Sequence, residues 1–167
     1  MKNKTTEKKD FTLPSYREIP DVGLYLDQCT KYINSYLIDF PEMNVTASMI
    51  SNYAKQQLIR RISRKTYSRS PIAVLILINL IKNIISIDNI RLLLETMLTD
   101  EETPEGIYEY FRHALMISYG VLFGEKAQKN DVTIPQQQQE ILARIADGVA
   151  YKMYLEQYFD TLKQNNE

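Results

Sequence analysis

Acidic residues are missing from a long stretch in the first half of this chain. No Asp or Glu occurs in residues 43–87, between Glu42 and Asp88, whereas seven Lys and Arg residues lie there. The chain as a whole has a formal net charge of -1, so its basic residues are concentrated in this stretch. Such segregation is typical either of a solvated basic face or of a surface that binds a polyanion, and it favours the second.

Cysteine, histidine, glycine and proline are also scarce. Five Gly and six Pro are too few for an all-β protein, which needs frequent turns. The only cysteine, Cys29, excludes an internal disulfide and favours a reducing, cytoplasmic compartment. Cys29 and the only histidine, His113, cannot form a zinc site, and the chain has no glycine-rich phosphate loop and no nucleophile elbow. We therefore predict no metal, no cofactor and no enzymatic activity.

The start of the chain and its most apolar run predict neither a signal peptide nor a membrane-spanning helix. Residues 1–10 are polar and predict a disordered tail rather than a signal peptide. The apolar run over residues 72–85 is interrupted by Asn79, Lys82 and Asn83, and it is shorter than the ~20 residues that span a bilayer. Residues 11–20 contain two prolines and predict an extended arm.

Apolar residues recur at helical spacing in six segments. The first predicted helix begins at Pro20 and Asp21 and continues to residue 38, and the second covers residues 46–57 with Thr46 as its N-cap. The others begin at residues 70–71, 86, 103–104 and 134–135, the last one ending near residue 164. An acidic linker at residues 99–105 predicts two regions, residues 11–98 and residues 104–165.

The last predicted helix has two apolar stripes. Leu142, Ile145 and Val149 form one of them, and residues 151, 155, 158 and 162, which are all Tyr or Leu, form the other. A helix covered on two sides predicts a homodimer held mainly by residues 134–162. Six tyrosines crowd the helical second half of the chain, and they suit core packing, a subunit interface or a pocket for a small-molecule or protein effector: Tyr108, Tyr110, Tyr119, Tyr151, Tyr154 and Tyr158.

Residues 46–97 resemble the DNA-binding domain of the mercury-resistance-regulator (MerR) family, in which a recognition helix, a short basic wing and two further helices follow one another. The family pattern Leu-Arg-Tyr-Tyr, three variable residues and Gly-Leu-Ile is similar to Ile50-Ser51-Asn52-Tyr53, residues 54–56 and Gln57-Leu58-Ile59. The wing tyrosine of the family is similar to Tyr67. The resemblance implies an all-α fold with a MerR-like winged helix-turn-helix and a small wing, followed by a helical C-terminal region.

The chain also departs from the MerR pattern. Ser51 replaces an arginine, Gln57 replaces a turn glycine, the wing is shorter and lacks glycine, and the first predicted helix is longer. A closer resemblance is to a bacterial family defined by a domain of unknown function. It rests on Ile-Pro-Asp-x-Gly-Leu-Tyr from Ile19, Ser-Met-Ile-Ser-Asn-Tyr from Ser48, and Lys-x-x-Leu-Ile from Lys55.

The MerR resemblance implies that residues 46–57 form a recognition helix and residues 60–67 a basic wing. Short polar side chains can reach base edges in a major groove, while Arg and Lys bind the phosphate backbone. The two tyrosines either donate a hydrogen bond to phosphate or pack half-buried. The residues expected to contact DNA are Thr46, Ser48, Ser51, Asn52, Tyr53, Lys55, Arg60, Arg61, Arg64, Lys65 and Tyr67.

The expected function is that of a cytoplasmic protein that binds double-stranded DNA, regulates transcription and acts as a homodimer. The alternative is a non-enzymatic helical adaptor that binds an acidic protein through its basic face. The salt dependence of DNA affinity and the presence of a preferred sequence distinguish the two.

Overall fold

The computed structural model describes residues 6–59, 65–98 and 103–166, and this part of the chain is mainly helical, as predicted. Its two short strands are β1 (Leu24–Tyr25) and β2 (Thr66–Tyr67). Its helices are α1 (Leu26–Ser35), α2 (Ala47–Lys55), α3 (Arg69–Ile81), α4 (Ile87–Met97), α5 (Glu105–Leu122) and α6 (Gln136–Asn165). Two 3-10 turns, Tyr16–Glu18 and Pro41–Met43, precede β1 and α2.

The two strands form an antiparallel ribbon that was not predicted. Leu24 pairs with Tyr67 and Tyr25 pairs with Thr66. Gly23 has a φ of 78°, and a Cβ atom there would lie 3.0 Å from the Thr66 Oγ1 atom. The left-handed backbone at Gly23 and the strand pairing are incompatible with a helix beginning at residues 20–21. That prediction is wrong for the first turn, and α1 is correspondingly short.

Side-chain caps define the starts of α2 and α4 where they were predicted. The Thr46 Oγ1 atom accepts a hydrogen bond from the Met49 N–H at 3.1 Å, and the Ser86 Oγ atom accepts one from the Asn89 N–H at 3.2 Å. Each cap satisfies one of the backbone N–H groups that a helix start leaves without a partner. The start of α3 is two residues earlier than predicted, with Ser68 rather than Ser70 as the N-cap residue.

Helix α3 is the centre of the core. Residues 71–81 are all buried, in agreement with its apolar sequence on every face. Its one buried polar side chain, Asn79, donates a hydrogen bond from Nδ2 to the Met43 carbonyl at 2.5 Å and accepts one from Lys82 Nζ at 2.5 Å. Asn79 thus fixes the 3-10 turn that leads into α2.

Helices α5 and α6 run parallel, because residues 124–135 return along α5 before α6 begins. The contacts between the two segments show this direction, because a later residue in and around α5 contacts a later residue in and around α6. The three contacts are Gly106 with Ile134, Ser118 with Asp147, and Phe123 with Tyr154. One hydrophobic core contains buried residues from Phe11 to Met153, so it crosses the boundary predicted between the two regions. None of the described helices has the combination of length and apolar character that crossing a membrane requires.

The predicted arm, residues 11–20, has no regular secondary structure before the 3-10 turn at Tyr16–Glu18, so the prediction of an extended arm is wrong for that turn; side chains of α5 and α6 bind the backbone of this N-terminal part of the chain. The Lys9 N–H donates to Gln157 Oε1 at 3.0 Å, and the Tyr119 hydroxyl donates to the Lys9 carbonyl at 2.8 Å. The Tyr108 hydroxyl donates to the Pro14 carbonyl at 2.7 Å. The disordered tail expected over residues 1–10 therefore does not include Lys9, while residues 1–5 lie outside the described part.

Candidate nucleic-acid interface

Helix α2 has one buried face and one polar face. Ile50 is 0% exposed and Tyr53 is 6% exposed, so this side packs into the core. The opposite side carries four polar residues at helical spacings of three and four, which place them on one face. We call these residues the reading face: Ser48, Ser51, Asn52 and Lys55, of which Ser51 is half-buried and the others are exposed.

The reading face has dimensions that suit a groove of DNA. An α-helix with its side chains is about 10–12 Å in diameter, which fits the ~12 Å width of the B-DNA major groove, and the nine residues of α2 extend about 14 Å along its axis. Three of its four side chains are short, which lets the helix backbone approach base edges closely. Thr46 is also exposed and begins the helix as its N-cap.

The two tyrosines expected near DNA lie in the core. Tyr53 is 6% exposed and Tyr67 is 3% exposed. Burial also raises the pKa of the Tyr53 hydroxyl. Of the two uses that the sequence left open, these positions favour packing: Tyr53 anchors α2, and Tyr67 anchors β2 opposite Leu24.

The basic residues around α2 fall into two groups. Lys55 and Lys65 are exposed. Arg60, Arg61 and Arg64 lie outside the described residues, between Ile59 and Tyr67, which are both buried.

Two other residues of the acid-free stretch have structural contacts instead. Arg69 donates from Nε to the Ile19 carbonyl at 2.8 Å and from Nη2 to the Arg17 carbonyl at 3.2 Å, which attaches the arm to the start of α3. Lys82 is half-buried, donates to Asn79, and has a pKa lowered by burial. The basic surface is therefore smaller than the sequence count suggests.

Two residues at the end of α2, Gln57 and Arg91, and one exposed residue of the ribbon, Tyr25, were not predicted as site residues. Gln57 has a φ of 57°, the left-handed conformation, directly after α2. Arg91 of α4 donates from Nη1 to the Gln56 carbonyl at 2.7 Å and places a guanidinium at the C-terminal end of α2. Tyr25 is 59% exposed on the ribbon. Only Gln57 had a signal in the sequence, because it occupies the position of the MerR turn glycine.

A cleft of about 290 Å³ separates the outer sides of α5 and α6. Ile117 and Val121 line it from α5, and Tyr151 lines it from α6. At its edge, Ser118 Oγ donates a hydrogen bond to Asp147 Oδ1 at 2.5 Å. The cleft is a concave space in the region where an effector was expected, and effector binding there stays a prediction.

The residues with possible metal or redox chemistry are dispersed. Within residues 6–59, 65–98 and 103–166, no three His, Cys, Asp or Glu side chains form a group that could hold a metal ion. Cys29 is 0% exposed, and burial raises the pKa of its thiol to about 12. His113 lies on the surface of α5, with Nε2 at 3.5 Å from Glu109 Oε2.

The chain matches one family model, described as "Domain of unknown function (DUF1836)", over residues 14–111. The matched segment begins in the arm, includes both strands and α1 to α4, and ends within α5. No curated protein and no solved structure was found to match.

Proposed function

The chain belongs to the DUF1836 family, and we propose that it binds double-stranded DNA through the reading face of α2 as a MerR-like winged helix-turn-helix, in the manner of a transcriptional regulator. The observation that carries this proposal is the composition of that face. It is polar, uncharged except for Lys55, and set on a helix whose other side is anchored by Ile50 and Tyr53.

The order of elements supports the proposal. A short strand, two helices, a basic segment and a returning strand follow one another, and the two strands pair. The strand that follows the basic segment thus pairs with the strand that precedes the two helices, an order that supports a wing at residues 60–67. The short α1 also removes one of the departures from the MerR pattern, since the helix contains ten residues rather than the longer span predicted from the sequence.

The distribution of charge supports a polyanionic partner. The chain has no acidic residue from α2 through α3, so the reading face and the basic segment have no carboxylate close to them in sequence. Arg91 adds a positive charge at the end of α2. Lys55, Lys65 and the three arginines of residues 60–64 would bind phosphates, which set the position of the helix on the duplex.

Specificity would come from the reading face. Asn52 is exposed near the middle of α2 and has the amide that pairs with adenine N6 and N7. Ser48 and Ser51 can bond to bases or to phosphates. Tyr53 and Tyr67 support the interface from the core.

A salt series on matched lysine variants tests the phosphate contacts. For Lys55→Ala/Lys65→Ala, the plot of log affinity against log salt should become shallower by about two units, because two phosphate contacts are lost. The control, Lys126→Ala/Lys129→Ala, removes the same charge from exposed residues of the α5–α6 connection and should leave the slope unchanged. Equal slopes for the two double variants would refute the proposed interface.

A second variant separates base contacts from phosphate contacts. After selection of bound genomic fragments, Asn52→Ala should weaken binding to the selected duplex by about tenfold to a hundredfold and leave random duplex nearly unchanged. If no duplex binds even at low salt, DNA binding is refuted and the adaptor for an acidic protein becomes the better explanation of Lys55 and Lys65.

A further inference from the structure

Helix α6 has apolar residues on two opposite faces. The inner face packs on the core and includes Leu142, Val149 and Met153, each at most 1% exposed. The other face is open to solvent over the C-terminal half of the helix. We call it the outer stripe: Tyr151, Leu155, Tyr158, Phe159 and Leu162, with exposures of 41–58%.

The spacing within the outer stripe is that of a helix-to-helix seam. Tyr151, Leu155, Tyr158 and Leu162 are separated by four, three and four residues, the spacing at which two helices meet along a continuous apolar line. Charged side chains flank the stripe on α6, where Lys152 forms an i,i+4 ion pair with Glu156.

The outer stripe is large enough for a specific interface. Its five side chains are about half exposed, so roughly 500 Å² of mostly apolar surface is open on each chain. An apolar patch of this area is within the range of the largest patch on a typical monomer. Full burial of two such stripes would remove roughly 1,000 Å² from solvent, which is the lower limit of the area buried in specific interfaces. Val121, 41% exposed at the adjacent cleft, extends the apolar surface beyond Tyr151.

We propose that the outer stripe binds a second copy of this chain, α6 against α6. A line of alternating Tyr and Leu is complementary to itself, which an interface with two-fold symmetry requires. The role of this dimer rests on the proposed function, since a dimer carries two reading faces and can bind two half-sites of DNA.

The test compares two exposed leucines. Leu155→Asp places a carboxylate in the middle of the stripe on both chains and should weaken self-association at least about a hundredfold. Leu92→Asp is the matched control: Leu92 is 60% exposed on α4, far from the stripe in sequence, and this variant should associate like the parent. Tyr158→Arg provides a second change in the stripe, and circular dichroism checks the fold of each variant.

Sedimentation without DNA keeps the result independent of the proposed function. A parent chain that stays monomeric at tens of micromolar, or folded Leu155→Asp and Tyr158→Arg variants that dimerise like the parent, would overturn the inference. If the parent dimerises but binds no duplex, only the DNA proposal fails. If both proposals hold, monomeric Leu155→Asp keeps its affinity for one half-site and loses the additional affinity for two.

Discussion

Replacing Gln57 with glycine should stabilise the protein. Gln57 has a φ of 57° and is the one non-glycine residue with a positive φ among those described. The left-handed conformation costs a residue with a Cβ atom about 1–2 kcal/mol, and glycine avoids this cost. Glycine also gives the unfolded chain more freedom, which offsets about 0.4–1 kcal/mol of the gain. Because Gln57 is exposed, little packing is lost.

The net effect of Gln57→Gly is therefore a free energy of unfolding higher by about 0.5–1 kcal/mol, or a melting temperature higher by about 1–4 °C in a chain of this size. Urea and thermal denaturation measure it. Gln56→Gly is the matched control, because Gln56 is also exposed but has a φ of -79°. There the same substitution should lower stability by about 0.5 kcal/mol.

Opposite signs for the two glycine variants are the decisive result. If Gln57→Gly is destabilising by as much as Gln56→Gly, the backbone at residue 57 is not left-handed and the end of α2 differs from our description. If the variant is more stable but binds DNA less tightly, the Gln57 side chain takes part in the interface, and the strain is retained at a functional position.

Three further predictions concern the ribbon, the core and the arm. Gly23→Ala should lower the free energy of unfolding by about 1–3 kcal/mol, measured in urea, because the residue is left-handed and its Cβ would lie 3.0 Å from Thr66 Oγ1. Cys29 should react with a thiol reagent at pH 8 only as fast as the chain unfolds. Burial raises the pKa of its thiol from 9.0 to about 12, so ionisation of Cys29 should leave the free energy of unfolding unchanged below pH 9 and lower it as the pH rises from 9 towards 12. Phe11→Ala should cost about 3 kcal/mol, because its ring is 4% exposed, whereas Thr12→Ala at an exposed position should change stability by less than about 0.5 kcal/mol.

Elements with local signals could be predicted from the sequence. Thr46 and Ser86, as N-cap residues, predicted the starts of α2 and α4, and the apolar residues on every face of α3 predicted its burial. The ribbon had no such signal, because Leu24 and Tyr67 pair across more than forty residues and the spacing of Val22, Leu26 and Cys29 continues the helical period. Tertiary pairing overrode that local preference.

Contacts between distant polar groups could not be predicted either. Lys9 is fixed by Gln157 and Tyr119, and neither residue has a recognisable relation to the arm in the sequence. Arg69 and Lys82 contribute to a charge count like any surface residue, but both donate to groups inside the fold. Of the basic residues that the structure describes in this stretch, Lys55 and Lys65 are exposed, whereas Arg69 and Lys82 are held by contacts within the fold, so the charge count overstated the basic surface.

Of the two proposed surfaces, one lies inside the segment that matches the family model and the other lies outside it. The reading face is within the matched segment, residues 14–111, whereas the outer stripe of α6 is beyond it. Lys9, which precedes the arm, also lies outside the match, and its backbone N–H donates a hydrogen bond to Gln157 of α6. The two flanking segments thus stabilise each other against a core that the matched segment largely supplies. Because Leu155 points away from that core, a change at the outer stripe should separate self-association from DNA contact, and a change at Asn52 should do the reverse.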